Sequence, residues 1–148
     1  MSSPIRHVRH IQYIRRAIAV AALVPLFFAG CKADHSDLAS FTVSELAAML
    51  VQGVALTVLD ANNDDTRAKR GIIPGAVLLS SYRDYLWSEL PTDKASQLIF
   101  YCASEMCSAA PTAARKAVAA GYSAVAVLPA GIKGWLEEGQ PVDELPTS

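Results

Sequence analysis

Four short apolar runs in this chain lack the polar alternation of a strand with one wet face: Ala55–Asp60, Val77–Leu79, Leu98–Cys102 and Ala124–Leu128. Such strands must be covered on both faces, and segments of helical pattern lie between them. The arrangement predicts a single α/β domain with a mostly parallel central sheet and helices on both faces. The chain's 148 residues suffice for one such core but not for two.

The connecting segments carry their own signals. Thr42 followed by Glu45 has the spacing of a capping box, and Leu46, Met49 and Leu50 continue at helical spacing to a stop at Gly53. Residues 62–70 are polar and read as a loop. Ile72–Ala76 reads as a turn, and residues 82–90 as helical or irregular, closed by Pro91. Ala109–Ala120 is an alanine-rich helix with Pro111 in its first turn, where a missing N–H costs little. Gly131–Glu138 reads as a last short helix.

The first 30 residues read as an address rather than as part of the fold. Residues 1–16 are basic and free of acids, and Ala17–Gly30 is an apolar or small run interrupted by Pro25. A bilayer span needs about 20 apolar residues, so this layout suits a signal peptide over residues 1–30 better than a membrane helix. Phe27-Phe28-Ala29-Gly30-Cys31 resembles the lipobox of bacterial lipoprotein signals. That resemblance implies acylation of Cys31, and two acyl chains anchor a protein stably. Residues 31–40 then form a polar tether ahead of a domain at 41–148. The expected location is the bacterial cell envelope, lipid-anchored and facing the periplasm. Lys32 points to the outer rather than the inner membrane.

Charge and histidine usage narrow the chemistry. Beyond residue 30 the chain carries nine basic and fourteen acidic residues, which argues against a nucleic-acid partner. His7 and His10 lie in the basic head, leaving His35 as the last histidine. A Ser-His-Asp triad, a Cys-His dyad or a multi-histidine metal site would therefore depend on His35. Two thiols without a histidine nearby do not complete a zinc tetrahedron, so no metal is expected.

The strongest local signal runs from Leu98 to Ser108: a buried strand, Cys102 at its carboxyl end, a five-residue bend, then a helix. The crevice beyond strand carboxyl ends is where open α/β sheets bind ligands. Backbone amides of residues 103–108 can curl around the Cys102 sulfur, and the helix terminus adds partial positive charge. Both favour a thiolate nucleophile at Cys102 without a histidine base.

At this point the chain resembles the rhodanese-like sulfurtransferase family over nearly all of residues 41–148. Val58-Leu59-Asp60 looks like the family's strand ending in aspartate, and Gly71–Ala76 like its Gly-His-Ile-Pro-Gly-Ala turn. Cys102, five residues and then Ser108 look like its active loop. Gly121–Leu128 and Gly131-Ile132-Lys133-Gly134-Trp135 look like its last strand and Gly-Ile-x-x-Trp ending. The resemblance implies that Cys102 carries a sulfane sulfur as a persulfide, within a loop of Ala103, Ser104, Glu105, Met106, Cys107 and Ser108. It implies no cofactor, a small sulfur donor or a persulfide-bearing protein as partner, and a thiol or cyanide-like acceptor.

The departures are specific. The usual arginine two residues after the strand aspartate is Asn62, the usual acid before the turn is Arg67, and the turn histidine is Ile72. In the loop, the common glycine is Glu105 and the common arginine is Cys107. A carboxylate at the pocket mouth repels a dianion such as thiosulfate, so a neutral or protein-bound persulfide is the expected donor. Arg67, Lys69 and Arg70 would offset Glu105 if their segment folds over the pocket. Related phosphatases place an arginine six positions after the cysteine, where this chain has Ser108, so phosphatase chemistry is excluded.

Other readings stay open. Cys102 and Cys107 form a redox pair, or the fold is a catalytically inactive interaction module. Cys107 is a resolving thiol, an unpaired thiol or family drift. Asp60 is expected to bond loop backbone rather than move protons, Trp135 and Tyr101 to form core or pocket wall, and Arg115 and Lys116 to lie on a solvated face.

Overall fold

The computed structural model describes residues 37–145. The expected signal peptide over residues 1–30, the expected acylation of Cys31 and the first part of the expected tether lie outside the described residues. Five strands and four helices alternate: β1 (Ala39–Ser40), α1 (Val43–Val51), β2 (Thr57–Asp60), α2 (Asp64–Arg70), β3 (Val77–Leu78), β4 (Leu98–Tyr101), α3 (Ala109–Ala119), β5 (Val125–Leu128) and α4 (Gly131–Glu137). A single 3-10 turn, Trp87–Glu89, interrupts the otherwise irregular segment before Pro91. Among the described residues no helix is long and apolar enough to cross a membrane.

The strands form one parallel sheet in the order β1-β5-β4-β2-β3. All four residues of the central strand β4 are buried, as its unbroken apolar run requires. Successive side chains of a strand point to opposite faces, so β4 divides the core. Leu98 and Phe100 pack with Tyr85, Ala113, Ala114 and Ala117 on one face. Ile99 and Tyr101 pack with Val43, Leu46, Ile132 and Trp135 on the other. Helix α3 and the irregular segment thus cover one side, and α1 and α4 the other.

Local signals explain most boundaries. Thr42 caps α1: its hydroxyl accepts from the Glu45 amide at 3.3 Å, and the Glu45 carboxylate accepts from the Thr42 amide at 2.8 Å. Three readings need correction. Ala39 and Ser40, assigned to the tether, form β1, because Ala39 and Ser40 register against Ala126 and Val127 of β5. The polar stretch read as a loop contains α2, capped by the Asn63 side chain, which accepts from the Thr66 amide at 3.0 Å. Its acids stand in the first turn and its bases in the last, as the helix dipole favours. Lys116, expected on a solvated face, donates to the carbonyls of Arg83 at 2.9 Å and Tyr85 at 3.2 Å. Its ammonium also lies 4.4 Å from the centre of the Tyr85 ring, so it fastens the irregular segment to α3.

Candidate active site

Cys102 is the first residue past β4, at the sheet's carboxyl edge, and its side chain is only 3% exposed. The chain then turns sharply, with the Cys107 amide donating to the Ser104 carbonyl at 2.9 Å. Two neighbouring elements hold this loop. The amides of Ile132 and Lys133, at the start of α4, donate to the carbonyls of Cys102 at 2.9 Å and Ala103 at 3.1 Å. From the end of α2, the Arg70 guanidinium donates to the Ala103 carbonyl at 3.2 Å.

Gly131 is what lets α4 approach so closely. Its φ of +61° lies in the left-handed region, and a Cβ there would stand 2.8 Å from the Ala103 carbonyl carbon and the Ser104 nitrogen. It would also run into the Cys102 carbonyl oxygen. The glycine-isoleucine pair noted in the sequence therefore has a local purpose: it seats the loop that carries Cys102.

A pocket of about 370 Å³ opens beside the two cysteines. Cys102, Ser104, Glu105 and Cys107 form one wall, with Ala110 and Pro111 of α3. Val127, Leu128 and Pro129 form another, completed by Leu38 and Ser40. Those last two were missed in the sequence because a two-residue strand without apolar periodicity looks like tether. Of the remaining loop residues, Ala103 serves through its carbonyl. Met106 is 96% exposed and lines a shallower neighbouring pocket with Glu105 and Lys133. Ser108 is the cap residue of α3, and its carbonyl accepts from the Thr112 hydroxyl at 2.7 Å.

The two thiols share one wall of the pocket, and the Cys107 backbone reaches the Cys102 sulfur. The Cys102 thiol donates to the Cys107 carbonyl at 3.3 Å. Burial pushes that thiol up to about 12, and its hydrogen bond with Cys107 pushes the same way, against partial relief from the amides of Ala110 and Ala103. Burial also opposes ionisation of Cys107, but the hydrogen bond from Cys102 and the amides of Ala103, Ala109 and Ala110 outweigh it, so its thiol is lowered. The surroundings thus push the two thiols in opposite directions, Cys102 up and Cys107 down. The Cys107 amide itself is committed to Ser104, so the loop amides do not all converge on Cys102 as anticipated.

The basic residues of α2 split in role. Arg67 is buried: it donates to the Leu79 carbonyl at 2.9 Å and the Asp60 carbonyl at 3.1 Å, and approaches the Asp60 carboxylate at 3.5 Å. Asp60 accepts in turn from the Asn62 amide at 2.6 Å and from the Tyr101 hydroxyl at 2.5 Å. Asp60 accordingly bonds loop backbone, and Tyr101 and Trp135 lie in the core. Position 67 supplies here the guanidinium that Asn62 lacks. Neither Arg67, Lys69 nor Arg70 lines the pocket, so none of them faces Glu105 across it. Among the described residues no cluster of three histidine, cysteine or acidic side chains is arranged to hold a metal ion.

A parallel α/β domain with a thiol at the carboxyl end of its central strand defines the class. Residues 42–138 match the model of the rhodanese-like domain, and the chain belongs to that family. Among solved structures it is similar to a protein of Bacillus halodurans, at 23% identity and a TM-score of 0.63 over 72% of this chain and 77% of that one. It is also similar to the rhodanese-like domain protein of Staphylococcus aureus, at 25% identity and a TM-score of 0.56 over 71% and 98%. The thiosulfate sulfurtransferase of Pseudomonas aeruginosa matches at 25% identity and a TM-score of 0.62, over 74% of this chain but 21% of that longer one. No curated protein matches the chain.

Proposed function

We propose that this protein is a sulfurtransferase that carries a sulfane sulfur on Cys102 as a persulfide and passes it to an external thiol or cyanide-like acceptor. It would work on a tether, with acylated Cys31 holding it to the bacterial envelope. The observation that carries the reading is Cys102 itself. It is the sole thiol at the end of the central strand, walled into a pocket that a second thiol, Cys107, also lines.

Cys102 gives up its proton to the solvent that reaches the pocket, and its sulfur then bonds the outer sulfur of a persulfide donor. The donor's S–S bond breaks, and the donor leaves as a thiol. In the second step the acceptor takes the outer sulfur and Cys102 leaves as thiolate. Glu105 at the mouth disfavours thiosulfate and favours a neutral or protein-bound persulfide. Neither step calls for a cofactor.

The test is intact mass of the reduced full-length chain after brief treatment with a persulfide donor, in a Cys31→Ser, Cys107→Ser background. A gain of one sulfur that cyanide removes, and that Cys102→Ser abolishes, is the expected result. No adduct, or an adduct indifferent to Cys102, would refute it.

A further inference from the structure

We propose that Cys107 resolves the Cys102 persulfide from within: its sulfur attacks the inner sulfur, closes a Cys102–Cys107 disulfide and expels hydrosulfide. The proposal rests on the reading that Cys102 carries the sulfur. The Cys107–Cys102 sulfur bond forms and the bond to the outer sulfur breaks, with its electron pair leaving on hydrosulfide. The sulfane sulfur is thereby reduced by two electrons, and two thiols become a disulfide. An external dithiol then restores both thiols by exchange and departs oxidised.

Three features point to this step. The two sulfurs line one pocket, and the Cys102 thiol lies 3.3 Å from the Cys107 carbonyl, because the tight turn from Ser104 to Cys107 folds the loop back on itself. Cys107 is the more exposed of the two and immediately precedes the cap of α3, and its surroundings lower its thiol. It therefore supplies the attacking thiolate.

The leaving group selects which sulfur is attacked. Attack on the outer sulfur must expel Cys102 as a thiolate, in surroundings that push its proton affinity up. Attack on the inner sulfur expels hydrosulfide into a pocket that opens to solvent. The better leaving group departs faster, so the buried position of Cys102 directs Cys107 to the inner atom and makes transfer of the outer sulfur to an external acceptor the slower of the two routes.

The experiment uses the full-length chain with Cys31→Ser, so that Cys102 and Cys107 are its only thiols. Reduced anaerobically, freed of reductant and given one equivalent of glutathione persulfide, it should lose two hydrogens in intact mass and release close to one equivalent of hydrosulfide. With Cys107→Ser, and again with Cys107→Ala, the chain should instead gain one cyanide-labile sulfur and release none. A chain that keeps both thiols and also keeps the added sulfur, without hydrosulfide, overturns the proposal while leaving sulfur carriage intact. A Cys107→Ser chain that takes up no sulfur, or that takes up glutathione instead, overturns sulfur carriage and this proposal with it.

Discussion

Replacing Gly131 with alanine tests whether the seat of the active loop is steric. The backbone there has φ +61°, which costs a residue with a Cβ about 1–2 kcal/mol. The new methyl would also meet the Cys102 carbonyl oxygen and stand 2.8 Å from Ala103 and Ser104 backbone, where rigid atoms cannot yield cheaply. Overpacking of this kind costs about 1–3 kcal/mol more. The two together come to roughly 2–5 kcal/mol, a fall in Tm of roughly 10–30 °C for a domain of this size. Gly139 provides the control: its φ is +72°, but a Cβ there meets nothing within 4 Å, so Gly139→Ala carries the backbone cost alone. Urea unfolding of both variants isolates the steric part as their difference. Gly131→Ala should also alter the rate at which Cys102 reacts, whereas Gly139→Ala should not. Equal losses of stability in the two variants would refute the argument, as would an unperturbed Cys102 in Gly131→Ala.

Four other outcomes are expected. Arg67→Met strips a 6%-exposed cation from buried Asp60 and two carbonyls, and should cost about 3–5 kcal/mol in chemical unfolding; a loss below about 1 kcal/mol would contradict the network. Iodoacetamide labelling against pH, read by peptide mapping, should modify Cys107 at lower pH than Cys102, since each sulfur reacts as its proton leaves; Cys102 labelled before Cys107 would reverse the assignment. Glu105→Gly should lower KM for thiosulfate roughly tenfold by removing a charge at the mouth, and an unchanged or higher KM would sink the account of donor choice. Cys31→Ser should release the protein from membranes, and a variant still bound through an uncleaved N-terminus would identify a signal anchor instead.

What could be read from the sequence followed from how each element is stabilised. Strands β4 and β5 were legible because burial on both faces demands continuous apolar residues, and α1 because its cap is written in side chains. Helix α2 was not, because the one side chain it buries is Arg67, and a search for apolar periodicity passes over an arginine. Its asparagine cap and charge order were present and could have been used. Strand β1 exists through its register against β5, a long-range fact that two residues cannot announce. At the site, the strand-bend-helix pattern located Cys102 and its loop. It could not say which sulfur ionises, since that depends on burial at one cysteine and on amide directions at the other. Arg70 was placed near the loop by the sequence argument, but as a counter-charge to Glu105. In the fold it is a clasp on the Ala103 carbonyl.

Strand β1 also sets a leash. Leu38 walls the pocket, and it stands only seven backbone steps, with six residues between, from Cys31. At about 3.5 Å per residue, even a taut chain spans about 25 Å, less than the thickness of a bilayer's hydrocarbon core. A lipid on Cys31 would therefore hold the pocket in the thin aqueous layer over the membrane. Small diffusible persulfides reach such a layer freely. A bulky folded donor would do so only if it too were tethered there, so an acylated Cys31 would restrict protein donors to those sharing that surface.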